Sequence, residues 1–165
     1  MIIEQPRLPQ PQPTPGAPAS SIRAITLTVA VRGAWFVHES ECRLLLESFE
    51  YHRAKLNIEC LGYVLMPDYF RVVLRQEGSG PMVRKLMQGF KRFTTRKLRL
   101  PDYPGLAVWR QHYEDVTLAD EHAAAEEIAA LREEPVKAGL VTKSDQYPWS
   151  SAAGTGRGIV TIAAL

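Results

Sequence analysis

Basic side chains are concentrated in one segment, where their spacing could serve to bind phosphate groups. Seven lysines and arginines fall within residues 84–99, and this range contains no acidic residue. If the segment is helical, intervals of seven, four and three residues place several of these cations on one face. Such a face can follow a phosphate backbone, although charge pattern alone equally allows a merely solvated surface. The candidate phosphate-contacting residues here are Lys85, Lys91, Arg92, Arg96 and Arg99.

Other reactive side chains give weaker signals. His112 and Tyr113 are adjacent, and neighbouring residues on a strand point to opposite faces, so we do not expect them to act as an acid–base and nucleophile pair. Cys42 and Cys60 are too few for a disulfide framework and form no Cys-x-x-Cys pair. We therefore predict that both cysteines are buried and that no zinc site is present.

Composition indicates a folded protein rather than a disordered or membrane-spanning one. The chain has 165 residues, of which 45% are hydrophobic and 23% charged, enough for one domain with a core. No apolar run approaches the roughly 18 residues of a membrane-spanning helix, and the start of the chain lacks a signal-peptide core. We expect a cytoplasmic protein without membrane contact. Residues 114–134 carry eight acids against the single Arg132, so charge of the two signs is segregated along the chain.

Hydrophobic periodicity supplies the elements that position the basic segment. A period of two, or a short run rich in β-branched and aromatic residues, predicts strands over residues 20–31, 57–66, 69–75 and 112–118. Helical spacing predicts helices over residues 39–55, 81–100 and 120–134, the last ended by Pro135. The second helix should bury a stripe of Val83, Leu86, Phe90 and Phe93. The order predicts an α+β, ferredoxin-like βαββαβα fold with a four-stranded antiparallel sheet and helices packed on it.

The ends of the chain differ from this central part. Six of the twelve prolines fall within residues 6–18, so residues 1–20 are predicted to form a flexible, extended, proline-rich tail. Residues 21–153 would form the folded domain, and residues 154–165 a C-terminal tail. The tail at the start could serve as a spacer or as a ligand for another protein.

Several strings occur in an order that resembles the REP-associated tyrosine transposases, single-tyrosine members of the HUH endonuclease class. They are GYVLMPDYFRVVL from Gly62, MVRKLMQGFKRFTTRKL from Met82, VWRQHYED from Val108, EPVKAGLV from Glu134 and YPWSSA from Tyr147. The similarity extends over about residues 22–152. It implies the same βαββαβα fold and a DNA partner, either single-stranded or hairpin DNA.

The chemistry that this resemblance implies requires a metal and a tyrosine. In the family, Mg²⁺ or Mn²⁺ polarises the scissile phosphate while a tyrosine hydroxyl attacks it. Two histidines at i and i+2 after a Met-Pro-Asn string hold the cation, since alternate strand residues face the same side. Here Tyr69 and Arg71 follow Met66-Pro67-Asp68. A protonated phenol is a poor ligand and a guanidinium cannot coordinate a cation, so we expect no bound metal or other cofactor.

The nucleophile position is also changed. The family's tyrosine lies five residues before the proline of its Asn-Pro-Val-Lys segment, and a metal-assisting side chain lies one residue before it. Counting back from Pro135 gives Ala130 and Glu134. The resemblance therefore predicts a transposase-like DNA-binding protein that has lost strand cleavage. Arg71 could replace part of the metal's charge and contact a DNA phosphate.

Two rival functions stay open at this stage. One is an active metal-dependent single-strand nuclease or transposase in which Glu134 acts together with Tyr113 or Tyr69. The other is a non-catalytic interaction module that uses the proline-rich tail and binds no nucleic acid. The oligomeric state is not predicted.

Overall fold

The computed structural model describes residues 20–31, 33, 35–78, 80–98, 107–153 and 158–165, whose backbone confirms the predicted α+β fold. The elements are β1 (Ser21–Thr28), α1 (Glu39–Lys55), β2 (Glu59–Leu65), β3 (Tyr69–Gln76), α2 (Met82–Lys97), β4 (Glu114–Leu118) and α3 (Glu121–Lys137). The four strands form one antiparallel sheet in the order β2-β3-β1-β4. This is the strand order of the ferredoxin-like fold, with β1 and β3 at the centre.

The two faces of the sheet carry different helices, as alternation along β3 makes clear. Phe70 points toward α1 and α2, because its ring centroid lies 5.1 Å from that of Phe49 and 5.8 Å from that of Phe90. Tyr69 and Arg71 point the other way and contact α3. Side chains one residue apart on a strand face opposite sides. The sheet therefore separates the helix pair α1 and α2 from α3.

Helix α3 is longer than the sequence pattern predicted, and the prediction that Pro135 ends it is wrong. The helix begins where the Asp120 side chain accepts a hydrogen bond from the Ala123 amide at 2.8 Å, and it continues to Lys137. Pro135 is buried inside the last turn. The fixed φ of proline is compatible with helix, and Ala138 still donates to the Glu134 carbonyl at 2.9 Å. The buried side of α3 also contains Ala124, Ile128 and Leu131.

Other element boundaries shift by a few residues. Strand β2 begins at Glu59 rather than at residue 57, because Asn57 adopts a φ of 53° in the turn after α1. Strand β1 ends at Thr28, and β4 begins at Glu114. Phe93, predicted in the buried stripe of α2, is only half-buried, whereas Thr94 is fully buried.

Both cysteines are free and buried, as predicted. Beyond the sheet, Ile162 forms a parallel bridge to Cys60, and the Ala163 amide donates to the Cys60 carbonyl at 2.9 Å. The proline-rich tail, apart from Ser20, lies outside the described residues, as does Arg99. The predicted division into tail, domain and C-terminal tail stays a prediction. Within the described part of the chain, no helix is long and apolar enough to cross a membrane.

Candidate functional site

Three residues singled out by the sequence resemblance, Tyr69, Arg71 and Glu134, meet between β3 and α3. The Tyr69 hydroxyl donates to Glu134 Oε2 at 2.6 Å. One terminal nitrogen of Arg71 donates to Glu134 Oε1 and the other to Glu127 Oε1. We call these four residues, Tyr69, Arg71, Glu127 and Glu134, the Arg71 cluster. Local geometry explains why these side chains meet. Tyr69 and Arg71 are two residues apart on β3, so both face α3. Glu127 and Glu134 are seven residues apart on α3, so both lie on one face of the helix.

Each charged side chain of the Arg71 cluster has a partner of opposite charge. All the charged side chains are half-buried, with relative exposures of 29% for Arg71, 20% for Glu127 and 14% for Glu134. Burial alone would lower the pKa of the Arg71 guanidinium, but the carboxylates of Glu134 and Glu127 outweigh burial and raise it. Arg71 therefore stays charged, and the cluster holds one cation against two anions.

Tyr69 is held in its protonated form. Burial is the largest cause that raises the pKa of its hydroxyl, followed by the hydrogen bond to Glu134 and the negative charge of that carboxylate. A phenol attacks a phosphodiester as the phenolate, and this environment disfavours the phenolate. The geometry makes Tyr69 a hydrogen-bond donor that fixes Glu134.

Ala130 lies on α3 between the two glutamates of the cluster. It is three residues after Glu127 and four before Glu134, so helical spacing places it on the same side of the helix. Its side chain is exposed and is only a methyl group. The position that the resemblance assigned to the nucleophile therefore lies next to the Arg71 cluster but carries no hydroxyl.

The basic residues of α2 form a separate surface. Lys85, Arg92 and Arg96 are all exposed, and we call these three the α2 row. The buried residues of α2 lie on its opposite side, which faces the core. Within the described residues, α2 contains no acid. An exposed basic row without acids is an electrostatic footprint for a polyanion.

Two predicted DNA contacts lie apart from this row. The Lys91 ammonium donates to the backbone carbonyls of Arg110 and Gln111, both at 2.8 Å. Burial also lowers its pKa. Arg71 lies on the other side of the sheet from α2, against its two carboxylates. The structure thus brings together Lys85, Arg92 and Arg96, and separates them from Arg71.

Two solved structures share this architecture. One, the structure of a REP-associated tyrosine transposase bound to a REP hairpin, has a TM-score of 0.65 and 14% identity, and the match covers 93% of this chain and 89% of that one. The chain has the transposase fold. A putative transposase from Deinococcus radiodurans matches with a TM-score of 0.53 and 17% identity, over 72% of this chain and 95% of that one. No family model and no curated protein matches the sequence.

The residues that the sequence resemblance places at metal-binding positions do not suit a divalent cation. Arg71 directs its guanidinium between the two carboxylates that would otherwise be available as oxygen ligands. Tyr69 presents a proton to the same site. Among the described residues, no group of three or more His, Cys, Asp or Glu side chains is arranged to hold a metal ion. A cation would have to displace Arg71 before it reached Glu127 or Glu134.

Tyr113, the other substitute nucleophile considered, lies away from Glu134. Its ring centroid is 5.9 Å from the Lys91 ammonium of α2. That contact places it on the side of the sheet opposite α3. Burial and the charge of Asp115 raise the pKa of its hydroxyl.

Glu127 is the site residue that the sequence prediction missed. A signal for it existed: a half-buried arginine needs counter-charges, and Glu127 is two helical turns from Glu134.

Proposed function

We propose that this chain is a DNA-binding protein with the transposase fold, that its ligand is single-stranded or hairpin DNA, and that it does not cleave the strand. The observation that carries the proposal is the exposed, acid-free α2 row. Phosphate contacts from exposed arginines and lysines supply most of the affinity of proteins for nucleic acid. The segregation of acids onto α3 would confine DNA to the α2 side of the molecule.

The structural neighbour supports the choice of DNA over another polyanion. That protein is a REP-associated tyrosine transposase, and it is bound to a REP hairpin. We carry the ligand class over to this chain as part of the proposal. We assign phosphate contact to the α2 row and give Arg71 a structural role, although the prediction that Arg71 contacts DNA remains to be tested.

Loss of cleavage follows, in this proposal, from the Arg71 cluster. Strand cleavage by this fold needs a nucleophile and a polarised phosphate. Ala130 supplies no hydroxyl, Tyr69 is held protonated, and Arg71 occupies the space between the carboxylates. Electrostatic stabilisation of a phosphate without a nucleophile gives binding but no covalent product.

Binding is tested by fluorescence anisotropy with a labelled DNA hairpin that carries a single-stranded tail, over a salt series. We expect the affinity to fall steeply with salt. Arg92→Gln combined with Arg96→Gln should flatten the log-log slope by about 1.4, since each single-strand phosphate contact contributes about 0.7. Lys137→Gln combined with Lys143→Gln is the matched control, because it removes two exposed positive charges elsewhere. Equal effects of the two pairs, or no binding by the wild-type protein, would refute the proposal.

One observation favours a second candidate, a nuclease that uses Tyr69 with Glu134 as its base. Their 2.6 Å hydrogen bond is the geometry of an activated nucleophile. The test is incubation of the protein with single-stranded hairpin DNA and Mg²⁺ or Mn²⁺, followed by denaturing electrophoresis. We expect no covalent adduct. An adduct that disappears in Tyr69→Phe would establish this candidate instead.

A further inference from the structure

An aromatic surface lies beside the α2 row, where α1 and α2 meet. Tyr51 is 63% exposed, and its ring centroid lies 5.3 Å from that of His52, nearly perpendicular to it. The His52 ring in turn lies 5.9 Å from Phe93 of α2. These three residues, the aromatic patch, line an open cleft of about 310 Å³ between α1 and α2. The exposed Tyr51 ring at the cleft offers a face on which another flat ring can stack, with His52 and Phe93 half-buried beneath it.

His52 is held in place at the centre of this patch. Its Nδ1 lies 2.7 Å from the Ser48 carbonyl oxygen, which can only accept, so Nδ1 donates. Gly89 of α2 allows the close approach, because a Cβ atom there would lie 2.9 Å from His52 Cδ2. His52, at the centre of the aromatic patch, is thus held in place without a ligand, which lowers the entropic cost of binding there.

The charges around the cleft favour a base inside it and phosphates at its border. Inside the cleft, Glu47 and Ser48 line the wall, and the Glu47 carboxylate would repel a phosphate. At its border, the Lys97 ammonium lies 5.8 Å from the Phe93 ring centroid. Arg96 is three residues from Phe93 on α2 and is exposed. Cations lie beside the aromatic rings, and the described residues that line the cleft include no lysine or arginine. This arrangement matches the alternation of phosphate and base along a single strand.

We propose that the aromatic patch is a stacking site for unpaired bases of single-stranded DNA, whose phosphates contact Arg96 and Lys97. The inference rests on the proposed function and extends it, because it assigns the bases to a site distinct from the α2 row. Stacking of this kind tolerates any base sequence, since every base has a π face.

The experiment compares two oligonucleotides with the same phosphates, dT15 and a strand of 15 abasic sites, on the full chain. We expect wild-type protein to prefer dT15 by about fivefold to a hundredfold, the range for a stacked base. Tyr51→Ala should lose that preference while retaining its affinity for the abasic strand. Tyr51 is largely exposed, so this variant should fold. Phe93→Ala is a second variant, and because Phe93 is half-buried its melting temperature is measured to check that it folds. Val116→Ala, also exposed, is the control.

A photoreactive strand locates the contact directly. Substitution of 5-iododeoxyuridine in the strand and irradiation should cross-link it to Tyr51, His52 or Phe93, as mapped by mass spectrometry. If wild-type protein binds neither strand nor a hairpin, the proposed function fails and this inference fails with it. If it binds DNA but shows no preference for dT15, or keeps the preference in Tyr51→Ala with cross-links elsewhere, the stacking site alone is refuted. Equal binding of the two strands is also what a patch reserved for a protein partner would give.

Discussion

The Tyr69 hydroxyl donates a 2.6 Å hydrogen bond to Glu134 Oε2, and the same carboxylate pairs with Arg71. The two β3 side chains thus hold one side chain of α3 at the place where the sequence resemblance implies a metal and a nucleophile. The contact joins strand to helix by charge and hydrogen bonding beside the apolar packing of Ile128 against β2, where Gly62 leaves room for it. We expect it to contribute to stability rather than to chemistry.

Replacement of Glu134 by glutamine should destabilise the fold. The variant leaves Arg71 with one carboxylate and removes the charged acceptor of Tyr69, at a cost of about 1–3 kcal/mol, discounted for the partial exposure of the pair. Urea denaturation measures the free energy of unfolding. Glu133→Gln, an exposed neighbour on the same helix, should change it by less than about 0.5 kcal/mol. A cost for Glu134→Gln as small as that of Glu133→Gln would contradict a structural role.

A double substitution, Tyr69→His with Arg71→His, should create affinity for a divalent transition metal. The two imidazoles would face α3 from i and i+2, and removal of the guanidinium would release Glu127 and Glu134 as further ligands. Isothermal titration with Mn²⁺ or Zn²⁺ should show binding in the variant and none in the wild-type protein. Tyr69→Phe with Arg71→Met, which also removes the guanidinium but supplies no ligand, is the control. Equal titration curves for the two variants would show that the histidines do not form a site.

Lys91→Met should weaken the fold while affecting DNA binding little. The ammonium donates to the carbonyls of Arg110 and Gln111, and the methionine keeps the apolar stem but no donor. We expect a loss of about 1 kcal/mol in unfolding free energy. Affinity for hairpin DNA should stay within about twofold, whereas Arg92→Gln should weaken it more. A loss of affinity for DNA equal to that of Arg92→Gln would show instead that Lys91 contacts DNA.

Alkaline pH should destabilise the protein partly through Cys60. Burial raises the pKa of its thiol to about 12. The unfolded chain loses this proton near the ordinary thiol pKa, while the folded chain keeps it until the pH reaches about 12. The stabilising contribution is therefore complete below the unfolded pKa and is lost as pH rises toward the folded one. In Cys60→Ala, unfolding between pH 9.5 and 11 should release about one proton fewer, as measured by the pH dependence of the urea midpoint; an unchanged dependence would contradict this.

The strands and helices were largely predictable because each buries one side in a regular period. Phe90 was predicted by helical spacing in the buried stripe of α2, and it does meet Phe70 on the α1 and α2 side of the sheet, together with Phe49 of α1. The end of α3 was not, because Pro135 can stop a helix or sit within its last turn, and burial against the sheet decided the outcome. Tyr69, Arg71 and Glu134 were identified only by resemblance. Their contacts with one another depend on how far α3 lies from β3, a distance that no local pattern encodes.

The two carboxylates that share Arg71 impose an order on any series of substitutions that would build a metal site here. A single change of Arg71 to histidine would leave Glu127 and Glu134 facing each other with no permanent cation between them, and like charges at close range repel. Arg71→His alone therefore destabilises the site. This repulsion is removed only when a second metal ligand and the bound ion are present as well. Arg71 is thus a barrier to stepwise change, because several substitutions must arrive together before this site can bind a metal ion.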